Sequence, residues 1–80
     1  MLITWDEPKR QQNLAKHGLD FTTLTVEFFE ASTVYPAKAG RFMAIGELNG
    51  VIAVIFARLG SEGISIISMR PASRRERNWS

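Results

Sequence analysis

The sequence predicts one α+β domain, with N-terminal helices packed on an antiparallel sheet and a short basic helix at the C-terminus. The chain has 80 residues, 45% of them hydrophobic, which suits a single small core. Its first half contains signals for helix starts and stops, whereas residues 41–69 contain three β-prone segments separated by turn signals. The predicted domain covers residues 1–80.

The N-terminal segment predicts a strand followed by a helix. Residues 2–5 are β-prone, and residues 6–8 (Asp-Glu-Pro) combine an oxygen-bearing cap, first-turn acids and an early proline. Gly18 suits the position just after a helix, and Lys16 and His17 suit the negative end of the helix dipole. We therefore expect a helix that begins near residue 6 and ends at Gly18.

Residues 20–40 predict a second helical segment, a strand and a loop. An acidic cap is followed by apolar residues with helical spacing over residues 20–28, although alternate residues there are also apolar, as in a strand. We expect a short helix. Residues 32–35 are β-prone and are closed by Pro36, and residues 37–40 suit a loop.

Residues 41–69 predict a three-stranded antiparallel meander. Residues 41–48 and 51–59 flank Asn-Gly, a strong signal for a two-residue turn because both residues tolerate positive φ. A second turn leads into residues 64–69. Both faces of the middle strand are apolar, so the sheet needs cover on both sides. The helices can cover one face, and the C-terminal segment or a second protein can cover part of the other.

The two-residue turn places Arg41 directly opposite Arg58. Like charges in that position repel, so the two guanidinium groups either extend into water or share an anion. If the second turn has four residues, Arg58 lies opposite Ser65, and Arg70 lies in one row with Ala53. These arginines form a candidate phosphate clamp, with separately solvated side chains as the alternative.

The C-terminal segment predicts a short basic helix. Ser73 and Glu76 have the spacing of a capping box, and the helix would carry Arg74, Arg75 and Arg77. A solvated tail is the alternative to a helix that docks on RNA, DNA or an acidic partner.

Composition excludes several classes of protein. The chain has no cysteine and one histidine, His17, so a disulfide scaffold, a thiolate metal site and a two-histidine metal site are excluded. We expect no metal and no cofactor, because no nucleotide-binding or hydrolase motif is present. The N-terminus lacks secretory features and the longest apolar run has seven residues, which predicts a cytoplasmic protein without membrane contact.

The remaining polar residues permit RNA cleavage. Residues 51–80 carry five arginines against two glutamates, and guanidinium groups match phosphate geometry. The ribose 2′-hydroxyl can act as the nucleophile, so the protein must move protons and stabilise the charge that develops on the phosphate. His17 is a candidate proton carrier. A dipole-stabilising role at the helix end is the alternative for this residue.

Several blocks of the sequence together resemble the BrnT toxin family. They are residues 3–6 (Ile-Thr-Trp-Asp), 16–18 (Lys-His-Gly), 20–21 (Asp-Phe), 41–46 (Arg-Phe-Met-Ala-Ile-Gly) and 66–77 (Ile-Ile-Ser-Met-Arg-Pro-Ala-Ser-Arg-Arg-Glu-Arg). The resemblance covers nearly the whole chain. It implies a RelE-like fold and a metal-independent ribonuclease toxin of a type II toxin-antitoxin system.

The resemblance also implies partners and site residues. The expected partners are an RNA substrate, a BrnA-like ribbon-helix-helix antitoxin, and operator DNA that is contacted mainly through the antitoxin, with the two proteins repressing their own operon. The motif positions include Trp5, Asn13 and Glu76. Together with the chemistry above, they give the candidate catalytic residues His17, Arg41, Arg58 and Arg70 and the candidate RNA-binding residues Lys9, Lys16, Arg74, Arg75 and Arg77. The alternative is a non-catalytic basic module that binds nucleic acid or protein.

Overall fold

Five strands form one mixed sheet in the order β1-β5-β4-β3-β2. The computed structural model describes residues 1–79. The strands are β1 (Leu2–Trp5), β2 (Thr33–Pro36), β3 (Phe42–Glu47), β4 (Val51–Leu59) and β5 (Gly63–Pro71). The helices are α1 (Glu7–His17), α2 (Val26–Ala31) and α3 (Arg74–Arg77), with 3₁₀ turns at Phe21–Thr23 and Lys38–Gly40. The predicted α+β class is confirmed, but β1 runs parallel to β5, so the sheet is not wholly antiparallel.

Helix α1 begins and ends where the sequence predicts. Asp6 takes the cap position with extended backbone, although its side chain makes no capping hydrogen bond. Gly18 has a φ of 71°, and its N–H donates to the carbonyl of Leu14. A glycine takes this left-handed conformation without steric cost, which explains the sharp end of the helix.

The helix predicted over residues 20–28 is divided into two pieces. Asp20 caps the first 3₁₀ turn by accepting a hydrogen bond from the N–H of Thr22. The Thr25 hydroxyl accepts from the N–H of Phe28 at 3.2 Å and begins α2. Both caps require extended backbone just before a helical turn, so one continuous helix cannot satisfy them.

The hairpin between β3 and β4 has a three-residue loop, so the predicted two-residue turn is wrong. Glu47 lies opposite Val51, and Asn49 and Gly50 take positive φ values of 53° and 119°. The Glu47 carboxylate accepts a hydrogen bond from the N–H of Gly50 at 2.7 Å. The extra loop residue shifts the register by one, so each residue of β3 lies opposite a different residue of β4 from the one predicted.

A bulge changes the register again between β4 and β5. Ala53 lies opposite Arg70, as predicted, whereas Arg58 lies opposite Ile64 and not Ser65. The register shift falls between Ile55 and Phe56, where β5 contains one extra residue. The sequence carries no glycine or proline there to mark the bulge.

The main core lies between one face of the sheet and the N-terminal helical segments. It is formed by Phe21, Leu24, Phe28, Ala44, Ile52, Val54, Phe56, Ile64, Ile66 and Met69. On the other face, Ile45 and Ala53 are also fully buried. Arg70 binds Glu76 there, and the hydroxyl of Tyr35 donates to the carbonyl of Trp79 at 2.7 Å. These contacts place α3 across the second face, which confirms that the C-terminal segment covers part of it.

Candidate functional site

Helix α1 brings together three of the predicted site residues. Lys9, Lys16 and His17 recur with a spacing that places them along one side of a helix. With Gln12, Asn13, Ile67 and Ser68, they line a shallow cleft of about 250 Å³ between α1 and β5. The two lysines are exposed and His17 is half-buried, so all three side chains can reach a ligand in the cleft. We call this the α1 cleft.

Asn13 fixes α1 against β5. Its side-chain oxygen accepts from the N–H of Met69 at 3.0 Å, and its amide nitrogen donates to the carbonyls of Met69 and Leu19 at 2.8 and 3.0 Å. Strand β1 pairs with β5 only as far as Trp5 and Ile66, so the buried Asn13 amide replaces the missing strand at Met69. This contact sets the depth and position of the α1 cleft.

The start of α1 is held by a separate ionic cluster. Arg10 contacts both Glu7 and Asp20, with nitrogen-oxygen distances of 2.7 and 3.0 Å. Hydrogen bonds from Arg10 and Trp5 lower the pKa of Glu7 to about 2. The same pairing raises the pKa of Arg10, and hydrogen bonds from the Thr22 backbone and Arg10 lower that of Asp20. This cluster joins α1 to the first 3₁₀ turn, outside the α1 cleft.

Arg70 is held by Glu76 on the face of the sheet that α3 covers. Two guanidinium nitrogens of Arg70 donate to the two carboxylate oxygens of Glu76 at 2.7 and 2.9 Å. This pair lowers the pKa of Glu76 to about 2 and raises the pKa of Arg70. Glu76 also accepts from the N–H of Ser73, which confirms the predicted capping box. Arg70 is therefore already bound to a carboxylate.

The predicted clamp of three arginines is not assembled. The shifted hairpin register removes Arg41 from the position opposite Arg58, and the Arg58 guanidinium lies 5.4 Å from the centroid of Phe42. Arg70 lies opposite Ala53, five residues before Arg58 on β4, so the side chains of Arg58 and Arg70 point to opposite faces. The two rows are roughly 16 Å apart along the strand. One phosphate cannot contact all three guanidinium groups in this arrangement.

The basic residues of α3 lie outside the α1 cleft. Arg74, Arg75 and Arg77 are exposed, and the Arg75 guanidinium lies 5.9 Å from the Trp79 ring centroid. Arg77 lines another cavity together with the β3–β4 loop. The predicted RNA-binding residues therefore fall into two groups, on α1 and on α3.

Two further types of site are absent from residues 1–79. In this part of the chain, no group of three or more histidine, cysteine, aspartate or glutamate side chains is arranged to hold a metal ion. None of its helices has the length and apolar character needed to cross a membrane.

The fold and the α1 cleft define a small basic α+β domain in which two lysines and the histidine of α1 face one shared binding space. A family model described as "Ribonuclease toxin, BrnT, of type II toxin-antitoxin system" matches residues 5–76. The chain therefore belongs to the BrnT family of ribonuclease toxins. This confirms the resemblance seen in the sequence and favours the enzymatic prediction, an endoribonuclease, over the non-catalytic module.

A solved structure supports the same assignment. The chain is similar to the Brucella abortus ribonuclease toxin BrnT, described as a 1.1 Angstrom-resolution crystal structure, with 62% sequence identity and a TM-score of 0.87. The match covers 92% of this chain and 99% of the Brucella chain. A comparison with curated protein sequences gave no significant match.

Proposed function

We propose that this ribonuclease toxin cleaves RNA in the α1 cleft without a metal ion. The observation that carries the proposal is the convergence of Lys9, Lys16 and His17 beside the bulge of β5. Two ammonium groups attract the phosphates on either side of a cleaved bond. The half-buried imidazole of His17 lines the same cleft, and an imidazole group is able to carry a proton between partners.

The proposed reaction uses a nucleophile that the RNA supplies. The 2′-hydroxyl oxygen attacks the adjacent phosphorus, the bond from phosphorus to the 5′-oxygen breaks, and the products carry a 2′,3′-cyclic phosphate and a 5′-hydroxyl. We assign one proton transfer to His17, either from the 2′-hydroxyl or to the departing 5′-oxygen, and the other to water. The lysines stabilise the extra negative charge on the phosphate oxygens.

Arg70 is the predicted catalytic arginine that best fits this site. It lies two residues beyond Ser68 on β5, so the two side chains share a face of the strand. A phosphate in the cleft would compete with Glu76 for the Arg70 guanidinium. Arg74, Arg75 and Arg77 are proposed as outer contacts to the RNA backbone. Catalytic roles for Arg41 and Arg58 remain predictions, because neither residue lines the α1 cleft.

Membership of a type II system implies an antitoxin partner. We propose that this partner is a BrnA-like ribbon-helix-helix protein and that the two proteins together repress their operon. Operator DNA would be contacted mainly by the antitoxin, because the basic groups of the α1 cleft are needed for RNA. We propose that the complex acts in the cytoplasm, where both RNA and the operon are found.

The test is cleavage of a defined RNA by the purified chain in the presence of EDTA. We expect new 5′-hydroxyl ends, with His17→Gln lowering the cleavage rate at least about 100-fold and Lys16→Ala about tenfold. Lys38→Ala, which removes an exposed lysine outside the cleft, is the matched control and should leave the rate unchanged.

Loss of cleavage in EDTA, with recovery on adding a divalent ion, would overturn metal independence. Full activity of His17→Gln would remove His17 from the reaction. Arg41→Ala and Arg58→Ala belong in the same assay. A loss comparable to that of His17→Gln would show that the RNA also reaches the region of those two arginines.

A further inference from the structure

Exposed apolar side chains concentrate at one end of the sheet. Five large hydrophobic residues are exposed in the described part of the chain, and four of them line two adjoining cavities at the β4–β5 turn. These four residues are Met1, Leu2, Val34 and Leu59, with exposed fractions of 47 to 65%. We call them the turn-end patch. Contiguous exposed apolar surface of this kind marks a binding site more often than an isolated apolar residue does.

The larger cavity gives the turn-end patch depth. It has a volume of about 580 Å³, and its apolar walls include Phe29, Phe42, Phe56 and Ile64. The second cavity, of about 520 Å³, shares Met1 and the β4–β5 turn with the first and extends to Leu2 and Leu59. The two cavities form one apolar depression that could receive several side chains of a partner.

The charged side chains around the two cavities indicate which class of partner can bind there. The charged side chains that line the two cavities are Arg58 and Glu62, one of each sign. An RNA strand needs several cations along its phosphates, so this depression is poorly suited to nucleic acid. Arg58 stacks on Phe42 and has no ion pair within residues 1–79. A carboxylate beside an apolar group would therefore complete this site.

We propose that the turn-end patch is the docking site for the antitoxin of the same type II system. An amphipathic segment of the antitoxin places apolar side chains in the cavity beside Phe29 and Phe42, and a neighbouring Asp or Glu pairs with Arg58. The proposal rests on the family assignment, which implies such a partner, and not on the role given to His17. The cavities share no lining residue with the α1 cleft, so docking and RNA cleavage can be tested separately.

The test measures, by calorimetry, the affinity of the 80-residue chain for the purified antitoxin of its type II system. RNA cleavage without antitoxin is measured in parallel. Val34→Asp and Leu59→Asp place a carboxylate among exposed apolar residues, and each should weaken binding at least tenfold while cleavage is unchanged. Arg58→Glu should also weaken binding at least tenfold. Thr33→Asp is the matched control, because Thr33 is exposed on the same strand as Val34 but faces the other side.

The outcomes separate this proposal from its competitors. Unchanged antitoxin affinity for Val34→Asp and Leu59→Asp would overturn it, as would an equal loss for Thr33→Asp. Loss of RNA binding with intact antitoxin affinity would assign the patch to RNA. A change of sedimentation for the chain alone would assign it to a second copy of the toxin. A chain that binds antitoxin as expected but cleaves no RNA would contradict the proposed function and leave the docking site supported.

Discussion

Asn13 shows how one buried amide determines where a helix lies. It is one of two buried polar residues among residues 1–79, and all three of its side-chain hydrogen bonds go to backbone groups outside α1. The apolar residues of α1 are only Pro8, Leu14 and Ala15, so packing alone specifies the position of the helix poorly. The amide supplies that position by completing the backbone pairing of Met69.

We expect Asn13→Ala to lower the free energy of unfolding by about 3 kcal/mol, because it leaves the N–H and carbonyl of Met69 buried without partners. Gln12→Ala removes an exposed amide from the neighbouring position and should change the free energy by less than about 0.5 kcal/mol. Urea unfolding followed by circular dichroism measures both. Equal stabilities of the two variants would contradict the role given to Asn13.

Glu76 makes the attachment of α3 dependent on pH. Its pKa is lowered from 4.5 to about 2, chiefly by the Arg70 guanidinium. A carboxyl with a lowered pKa stabilises the folded state above the unfolded pKa and loses that contribution as the pH falls through the folded value. We therefore expect α3 to loosen progressively as the pH falls from about 4.5 towards 2.

The Trp79 indole signal in NMR spectra reports this change, because Trp79 contacts Tyr35 only while α3 is docked. In Glu76→Gln, which cannot ionise, the signal should stay constant through the same pH range. If the wild-type signal also stays constant, Arg70 and Glu76 do not hold α3 on the sheet.

The loop between β3 and β4 shows how turn-forming residues can predict the wrong loop length. Asn49 and Gly50 do form the hairpin turn, and both take the positive φ that their residue types allow. The loop nevertheless includes Leu48, because the Glu47 carboxylate binds the N–H of Gly50 and Leu48 packs against the core. Local propensity therefore identified the turn residues correctly but predicted a loop that is one residue too short. The predicted pairing of Arg41 with Arg58 was wrong for that reason.

The packing of α2 on β3 depends on Gly46. A Cβ atom at this position would lie 3.0 Å from the Phe28 ring and 3.1 Å from the Cβ of Ser32. We expect Gly46→Ala to lower the free energy of unfolding by about 1 to 3 kcal/mol through overpacking. In a Phe28→Leu background, the same Gly46→Ala change should cost less, because the smaller side chain removes the closer of the two contacts. Thermal unfolding of both single variants and the double variant provides the test, and an unaffected Gly46→Ala variant would show that α2 can shift freely.

At the scale of the whole molecule, the sheet joins segments that are far apart in the sequence. Strand β1 pairs with β5 in parallel, although about 60 residues separate them. Residues 2–5 predicted a strand, but no local signal identified its partner or its direction. The expected cover on both faces was easier to predict, since the apolar residues on both sides of β4 had to be removed from water.

The candidate site was only partly predictable, because some of its residues lie on one helix and others lie on different strands. Lys9, Lys16 and His17 come together because they lie on one helix, where sequence spacing determines spatial proximity. Arg41, Arg58 and Arg70 lie on different strands, and their relative positions depend on a loop length and a bulge. The turn-end patch combines residues from three strands and the N-terminus, and no sequence pattern groups them.

The amino-acid sequence alone was enough to predict the ends of α1, the capping box of α3, the existence of the 41–69 meander and the toxin family. Each of these depends on residues close together in the chain, or on motifs read in order. The folded structure was needed to establish the strand registers, the parallel pairing of β1, the bond between Arg70 and Glu76, and the separation of the arginines. These features follow from contacts between distant segments, where one added loop residue or one bulge changes the face on which a side chain lies.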